Sequence, residues 1–456
     1  MTADARASQA IDIGQLIDET RWSGFQKLVL CLAALGFLTD GIANQTLGLA
    51  VPSLMADWRL PRGAFASVTA IGLVGLTIGA AVGGMLGDRI GRRPMMIFST
   101  CLFGVMTIAA STAHGIGPLF WMRLVDGLGI GAMIPNGAAI ISEFTPTRRR
   151  SLAIALGMVF IAIGSVLSGL VATAILPAYG WRMLFLVLGI LPVALSILFV
   201  VAMPESPTFC ARRPHRRADL HKSLRRCGHQ LHDETTFVER DPAPASVGWL
   251  RVLFSSGVRG TTVALWTGFF FCLLASYAMF SWVPAMLASL GMPLSMTSLG
   301  ITFFSGGGVV GGVVSGWLIE RFGLKAAALG LAAGGVGAAL LLGGLIYGDV
   351  RSLPALFSAL VLEGFFISGL HNGLYTISAF IYPNFGRATG VGAAAAVGRV
   401  GAIASSWLGL LALQLGGASG YFLLIAAALT ASLAAIALVR KPLLAGASSR
   451  SAAPAR

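Results

Sequence analysis

The sequence predicts an all-α membrane protein of twelve transmembrane helices arranged as two six-helix pseudo-symmetric halves. Three observations carry that prediction. Of the 456 residues, 56% are hydrophobic and only 11% are charged, with 59 glycines besides. Long apolar runs recur between charged or turn-rich stretches, and the second half of the chain repeats the first at a fixed spacing. A soluble chain carries roughly 25% charged residues, so the charge here is too sparse to coat a water-facing surface. An ordinary cytoplasmic enzyme and a disordered chain are excluded. A helical span needs ~20 apolar residues. Twelve spans then leave one sizeable loop and short tails, with no separate soluble catalytic domain.

Taken in order, residues 1–25 form a polar tail containing Asp12, Asp18 and Glu19. They lack a signal-peptide pattern, so the first apolar run serves as its own insertion signal. Six spans follow at 26–50, 64–87, 95–113, 117–142, 152–176 and 181–203, making an N-terminal half over 26–203. Residues 204–258 are the one extended polar segment, a basic central loop with six arginines between Arg212 and Arg226 and with His215, His221, His229 and His232. Six more spans, at 259–288, 295–319, 325–347, 352–380, 388–414 and 418–439, make a C-terminal half over 259–439. A tail rich in Ala, Ser and Arg occupies 440–456.

The net charge of +14 does not read as nucleic-acid binding, because the basic residues lie between apolar runs rather than on one domain face. Basic residues flanking spans mark the cytoplasmic side. With the N-terminus inside, 26 Lys and Arg fall on cytoplasmic segments, against four (Arg59, Arg62, Arg182 and Arg351) on outer loops. Both termini are therefore expected in the cytoplasm of a cell whose inner membrane holds the protein. The five cysteines show no metal-site spacing and read as inert thiols; no metal and no cofactor are expected.

The repeat is specific. Gly84, Asp88, Arg89, Gly91 and Arg93 align with Gly316, Glu320, Arg321, Gly323 and Lys325 at a constant offset of 232. The match runs upstream into the membrane. Gly75, Gly79, Gly83 and Gly87 recur every four residues, and Gly307, Gly311 and Ser315 do so at the same offset. Small residues at this spacing let two helices approach closely. In the loop itself, Asp88 can pair with Arg89, Arg92 and Arg93 across helix ends. Pairs that hold in one conformation and break in another form a bistable latch, to which Glu143 at the inner end of the fourth span and the second copy, Glu320 and Arg321, are assigned.

A charge at mid-bilayer costs about 2.5–3.5 kcal/mol on insertion scales, which marks such residues as functional candidates. Asp40 lies in the first span, Arg123 and Asp126 in the fourth, Glu363 and His371 in the tenth and Arg399 in the eleventh. Arg123 and Asp126 are three apart and can pair. Arg399 keeps its charge and suits holding an anion. Asp40 is the preferred proton-coupling residue, with His371 and Glu363 as further candidates.

The loop Gly84–Arg93 resembles the signature Gly-x-x-x-Asp-Arg-x-Gly-Arg-Arg of the major facilitator superfamily, and the two-half architecture is similar to that superfamily's over essentially the whole chain. Several stretches further resemble its aromatic acid:proton symporter family, the 4-hydroxybenzoate and benzoate type. They are Asp40-Gly41 with Gln45, Gly48 and Pro52; Gly131 to Pro135-Asn136 leading to Ser142-Glu143; Pro204-Glu205-Ser206-Pro207; and Gly373-Leu374-Tyr375 with Tyr382-Pro383, Arg387 to Gly392 and Gly398 to Gly401. One departure stands out: Ala43 occupies the place of the family's second acid in the first span.

The resemblance implies a secondary active transporter, not an enzyme, that imports a small, aromatic carboxylate by proton symport with alternating access, the substrate lying midway between the halves. Its partners are the organic anion, protons and the lipid bilayer, and function as a monomer is expected. The substrate-binding candidates are Arg123, Arg399, Gln45, Asn136, Tyr277, Trp282 and Tyr375. Loss of the second acid opens a neighbouring class, another small metabolite or organic acid. Proton-coupled efflux is the other transport reading, disfavoured because the glycine-rich fifth span lacks a proline beside Gly157, Gly164 and Gly169. No lysine follows a glycine, so no phosphate loop exists, and no Gly-x-Ser-x-Gly elbow is present. A transporter-like sensor signalling through 204–258 is a further alternative.

Overall fold

A computed structural model describes residues 11–12, 16–18, 22–228, 237–238, 259–349, 352–381 and 387–439. Arg6, Arg21, His229, His232, Arg351, Tyr382-Pro383, the side chains of Arg387, Ala388 and Thr389, most of 229–258 and the tail 440–456 lie outside the described residues. The described chain is almost wholly helical. Its one extended pairing joins Ile11–Asp12 (β1) in parallel to Phe237–Val238 (β2).

The helices are α1 (Gly24–Trp58), α2 (Ala64–Ile90), α3 (Arg92–Ala110), α4 (Ile116–Phe144), α5 (Thr147–Ala202), α6 (Pro207–Ala211), α7 (Arg217–Arg226), α8 (Arg259–Ser289), α9 (Leu294–Phe322), α10 (Leu324–Tyr347), α11 (Leu353–Ile381) and α12 (Arg387–Leu438). All but α6 and α7 are long and apolar enough to cross a membrane, which makes ten such helices among the described residues. Two of them each hold two of the spans expected from the sequence. α5 has non-helical backbone at Gly180 (φ 72°) and α12 at Gly417 (φ 60°). Only glycine takes such dihedrals without a steric penalty, so each residue divides its helix in two.

Local chemistry sets several ends. Ser23 and Gln26 form a capping box at the start of α1, the Gln26 amide donating to Ser23 Oγ at 3.2 Å and the Ser23 amide to Gln26 Oε1 at 2.9 Å. Burial is inverted relative to a soluble protein. Val201 and Leu415 are each 81% exposed and Trp121 64%, while Asp40 and Glu363 are at 0%. An apolar exterior around buried acids is what a lipid solvent selects. This is a multi-pass membrane protein.

The chain divides into two compact units, one of residues 1–243 with 280–306, the other of 244–279 with 307–456. In the first, α2 meets α4 at the glycine stripe: a methyl group added at Gly75 would strike the Leu124 carbonyl, and one at Gly79 the Leu128 carbonyl. In the second, Gly307 and Gly311 bring α9 against the Val361 and Phe365 carbonyls of α11 in the same way. The sequence repeat is thus a repeat of backbone contact. The central segment is not simply a loop: α7 buries Leu220 and Leu224 against Ile17 and Cys210.

Candidate functional site

In the first unit, Asp40 is fully buried on α1, and Asn44 one turn on donates to its Oδ1 at 3.2 Å. Here α1 and α5 touch through backbone: a methyl at Gly41 would meet the Ile161 carbonyl, and one at Gly164 the Leu38 carbonyl. Gln45 is 2% exposed, and its Oε1 accepts no hydrogen bond among the described residues. Ala43 is packed with Phe37, Leu76 and Met133 in the apolar core, so the place of the absent acid is filled by packing.

Arg123 and Asp126 form a buried ion pair on α4, and Thr107 of α3 donates to Asp126 Oδ1 at 3.3 Å. The Arg123 guanidinium lies against Gly72 of α2. Its charge is already met by a carboxylate. Burial of a lone charge is costly, and a carboxylate three residues away meets this one.

The residues expected to form a latch meet where α2 turns into α3. Arg92 pairs with Asp88, and its Nε lies 4.0 Å from Glu143 Oε1. Arg92 Nη1 also donates to Asn136 Oδ1 at 3.2 Å and to the Gly84 carbonyl at 3.3 Å. Asn136 is drawn into the same cluster. Its Nδ2 donates to the Gly83 and Ala132 carbonyls at 2.9 and 2.8 Å. With both ends of its amide occupied, this fully buried side chain ties α4 to α2. Arg89 contributes its carbonyl, which accepts from Arg213. Gly91 adopts φ 114° at the junction. Arg93 Nη2 donates to the Val200 carbonyl.

Glu205 is the member that sequence reasoning missed. Its Oε1 accepts from the amides of Arg92 (2.9 Å), Arg93 (3.1 Å) and Ser206 (2.9 Å). A carboxylate thus caps the first turn of α3, where helix amides lack partners and the dipole favours negative charge. Ser206 Oγ donates to Glu143 and accepts from the Phe209 amide at 3.0 Å, starting α6. The only sequence signal was the Pro-Glu-Ser-Pro stretch itself, 113 residues from Arg92.

The second copy of the loop is built differently. Glu320 is exposed, and the Arg321 guanidinium sits 5.6 Å from the Trp317 ring centroid and 5.7 Å from that of Phe322. No latch ion pair involves them among the described residues. Instead Lys325 donates to the Ala437 and Val439 carbonyls at 2.7 and 2.8 Å, closing the end of α12.

Three helices of the second unit bring together a cation, an imidazole, a phenol and a benzene ring. His371 and Tyr375 are one turn apart on α11, with ring centroids 5.2 Å apart. Phe269 of α8 meets Tyr375 edge-on at 5.1 Å. The charge of Arg399, on α12, acts on both His371 and Tyr375. Next to Arg399, α12 touches α8 directly, a methyl at Gly401 striking the Phe270 carbonyl. Tyr375 is 37% exposed and His371 and Arg399 are half-buried, so the group is reachable. His371 Nε2 has no hydrogen-bond partner among the described residues.

Glu363, two turns before His371 on α11, is wholly buried, and neither carboxylate oxygen has a hydrogen-bond partner among the described residues. Tyr421 lies within electrostatic reach, its hydroxyl 3.7 Å from Met279 Sδ. Tyr277 is half-buried on α8, whereas Trp282 is 1% exposed and behaves as core.

The profile of the Major Facilitator Superfamily matches residues 33–295 and 265–455. The chain belongs to the Major Facilitator Superfamily. It is similar to a gallate transporter of Pseudomonas putida, 34% identical over 89% of this chain and 90% of that protein. It is similar also to the 4-hydroxybenzoate transporter PcaK of Acinetobacter baylyi, at 30% with 90% of each chain covered. A benzoate transport protein of the same species is 27% identical over 90% of this chain and 88% of its own. Among solved structures, the xylose transporter XylE of E. coli in a partially occluded inward-open conformation aligns with a TM-score of 0.70 at 16% identity, covering 90% of this chain and 98% of that one. That likeness speaks to the fold alone. These relatives are transporters rather than enzymes. Within this superfamily member, the Gly84–Arg93 signature folds as an ion-paired helix junction, Arg123 and Asp126 neutralise each other, and Gln45, Glu363 and His371 keep polar atoms without a hydrogen-bond partner among the described residues.

Proposed function

We propose that the chain is a secondary active importer of a small aromatic carboxylate, driven by protons and working by alternating access. The observation that carries the reading is the grouping of Arg399, His371, Tyr375 and Phe269 in one unit. A carboxylate needs a fixed cation, which Arg399 supplies. An aromatic ring needs ring edges, which Tyr375 and Phe269 supply. Phenolic substituents need polar partners, a role suited to the open Nε2 of His371. The names of the relatives, gallate, 4-hydroxybenzoate and benzoate transporters, point to the same substrate class.

Proton coupling is assigned to Asp40 and Glu363. Protonation removes a buried negative charge and so changes the relative cost of the conformations linked by transport. With Ala43 in the core, Glu363 takes the part of a second acid. Gln45 and Tyr277 are secondary substrate contacts. The Asp88–Arg92–Glu143 group, capped by Glu205, holds one conformation and releases in the other. The protein is placed in the inner membrane as a monomer with both termini cytoplasmic, following its basic loops.

The test is uptake of labelled 4-hydroxybenzoate and gallate into liposomes holding the purified protein, with and without an inward proton gradient. Gradient-dependent accumulation of either is expected. No uptake of either beyond protein-free liposomes, from folded protein, sinks the aromatic assignment.

A further inference from the structure

A basic groove on the first unit has no part in the transport scheme. It holds about 500 Å³ and is lined by Ala218, His221, Lys222, Arg225 and Arg226 of α7. α7 is amphipathic. Leu220 and Leu224 anchor it through Ile17 and Cys210, and Lys222, Arg225 and Arg226 are left exposed on the other side. The one acid of the helix, Asp219, is turned to Arg216 at 3.8 Å and does not line the groove. The groove is also fixed at a definite height. The Arg226 guanidinium lies 5.4 Å from the ring centroid of Phe25, in the first turn of α1, where the first membrane-crossing helix begins. Arg149 lies over Trp22 at 5.3 Å just before that turn. Aromatic residues at the end of a span sit at headgroup level.

A cavity of this volume accepts a small-molecule headgroup, and clustered Lys and Arg beside a span attract anionic lipid. We infer that this groove binds the phosphate of an anionic phospholipid, with Lys222 and Arg225 as the principal contacts and the acyl chains running along the outside of α1. The lipid would fasten the central segment to the bilayer next to the latch residue Arg89, whose carbonyl accepts from Arg213 in the turn between α6 and α7.

The test uses the full chain in neutral detergent, with bound lipid counted by native mass spectrometry. The probes are dioleoyl phosphatidylglycerol, dioleoyl phosphatidylcholine and inorganic phosphate. Phosphatidylglycerol is expected to bind roughly tenfold more tightly than phosphatidylcholine, and the K222Q/R225Q variant to lose roughly thirtyfold in affinity for it. The charge-keeping K222R/R225K variant should bind within about threefold of the parent. Three results overturn the inference: equal binding of the two lipids, an unchanged affinity in K222Q/R225Q, or inorganic phosphate binding as tightly as the lipid. Melting temperatures of both variants report whether they are folded.

Discussion

Arg399 and Arg123 carry the same charge within membrane-crossing helices, but Arg123 is buried, Arg399 is half-buried, and their neighbours differ. Arg123 has Asp126 one turn away, so its charge is neutralised within its own helix. The charge of Arg399 acts on an imidazole and a phenol. Arg399→Gln is expected to lower aromatic-acid uptake at least ~100-fold, as loss of a charge-assisted contact of about 3 kcal/mol would. Arg123→Gln is expected to act mainly on stability, by leaving Asp126 uncompensated, at roughly 3–5 kcal/mol. Uptake kinetics and thermal melting, measured on both variants, separate the two outcomes. At Glu363, substitution by Gln keeps the shape and breaks no hydrogen bond among the described residues. The variant should melt like the parent, lose gradient-driven accumulation and keep substrate exchange; accumulation at the parental level would remove Glu363 from proton coupling.

Two thiols outside the spans allow a pH prediction. Burial, reinforced by the nearby Glu205 charge, pushes Cys210 up to about 12, and burial pushes Cys227 up to about 11. Both stay protonated while folded, whereas unfolded thiols ionise near 8.5. Their contribution to stability is therefore fully present below about pH 8.5 and is lost as pH rises toward the folded values. Folded protein at pH 8 should leave both unlabelled by a charged maleimide, which needs the thiolate.

At the scale of elements, the capping of α3 shows how far apart the partners of one helix end can be. The first-turn amides at Arg92 and Arg93 have no intrahelical partners, and a carboxylate from beyond α5 accepts from both. Glu205→Ala is expected to cost about 1–2 kcal/mol, read as a lower melting temperature, while Glu205→Gln keeps an acceptor and loses less. The α2–α4 seam predicts a larger effect. A Leu at Gly79 would have to displace backbone at Leu128, and overpacking of this kind costs roughly 1–3 kcal/mol or more. The Gly79→Leu variant should yield little folded protein, whereas Leu at Gly84, where a methyl meets only the Pro135 ring at 3.8 Å, should be tolerated.

For the molecule as a whole, the latch is expected to set rate rather than affinity. The Asp88 carboxylate is 62% exposed, and an exposed pair at this spacing contributes about 0.3–0.5 kcal/mol. Asp88→Asn should therefore leave the melting temperature almost unchanged. It should slow uptake through a shifted conformational equilibrium while substrate affinity, measured in detergent, stays within about twofold. Unchanged uptake would make the cluster a static fastening of α2 to α3.

Much of this architecture could be read from the chain. Span positions came from apolar runs, because a bilayer fixes how long a helix must be. The duplication came from an offset of 232, because close helix contact admits only small residues, and the structure finds those glycines on backbone in both units. The charged turn and the intramembrane acids were legible because charge is rare in such a sequence. Partnership was not. That Asn136 accepts from Arg92, that Glu205 caps α3, that Glu320 stands exposed, and that His371, Tyr375 and Arg399 share one neighbourhood all depend on which faces of distant helices meet. A linear pattern fixes the face a helix offers to its neighbours collectively, by periodicity and side-chain size. The particular atom opposite each polar group is set only by packing, since satisfying one buried donor or acceptor is a local condition that many sequences meet in different ways.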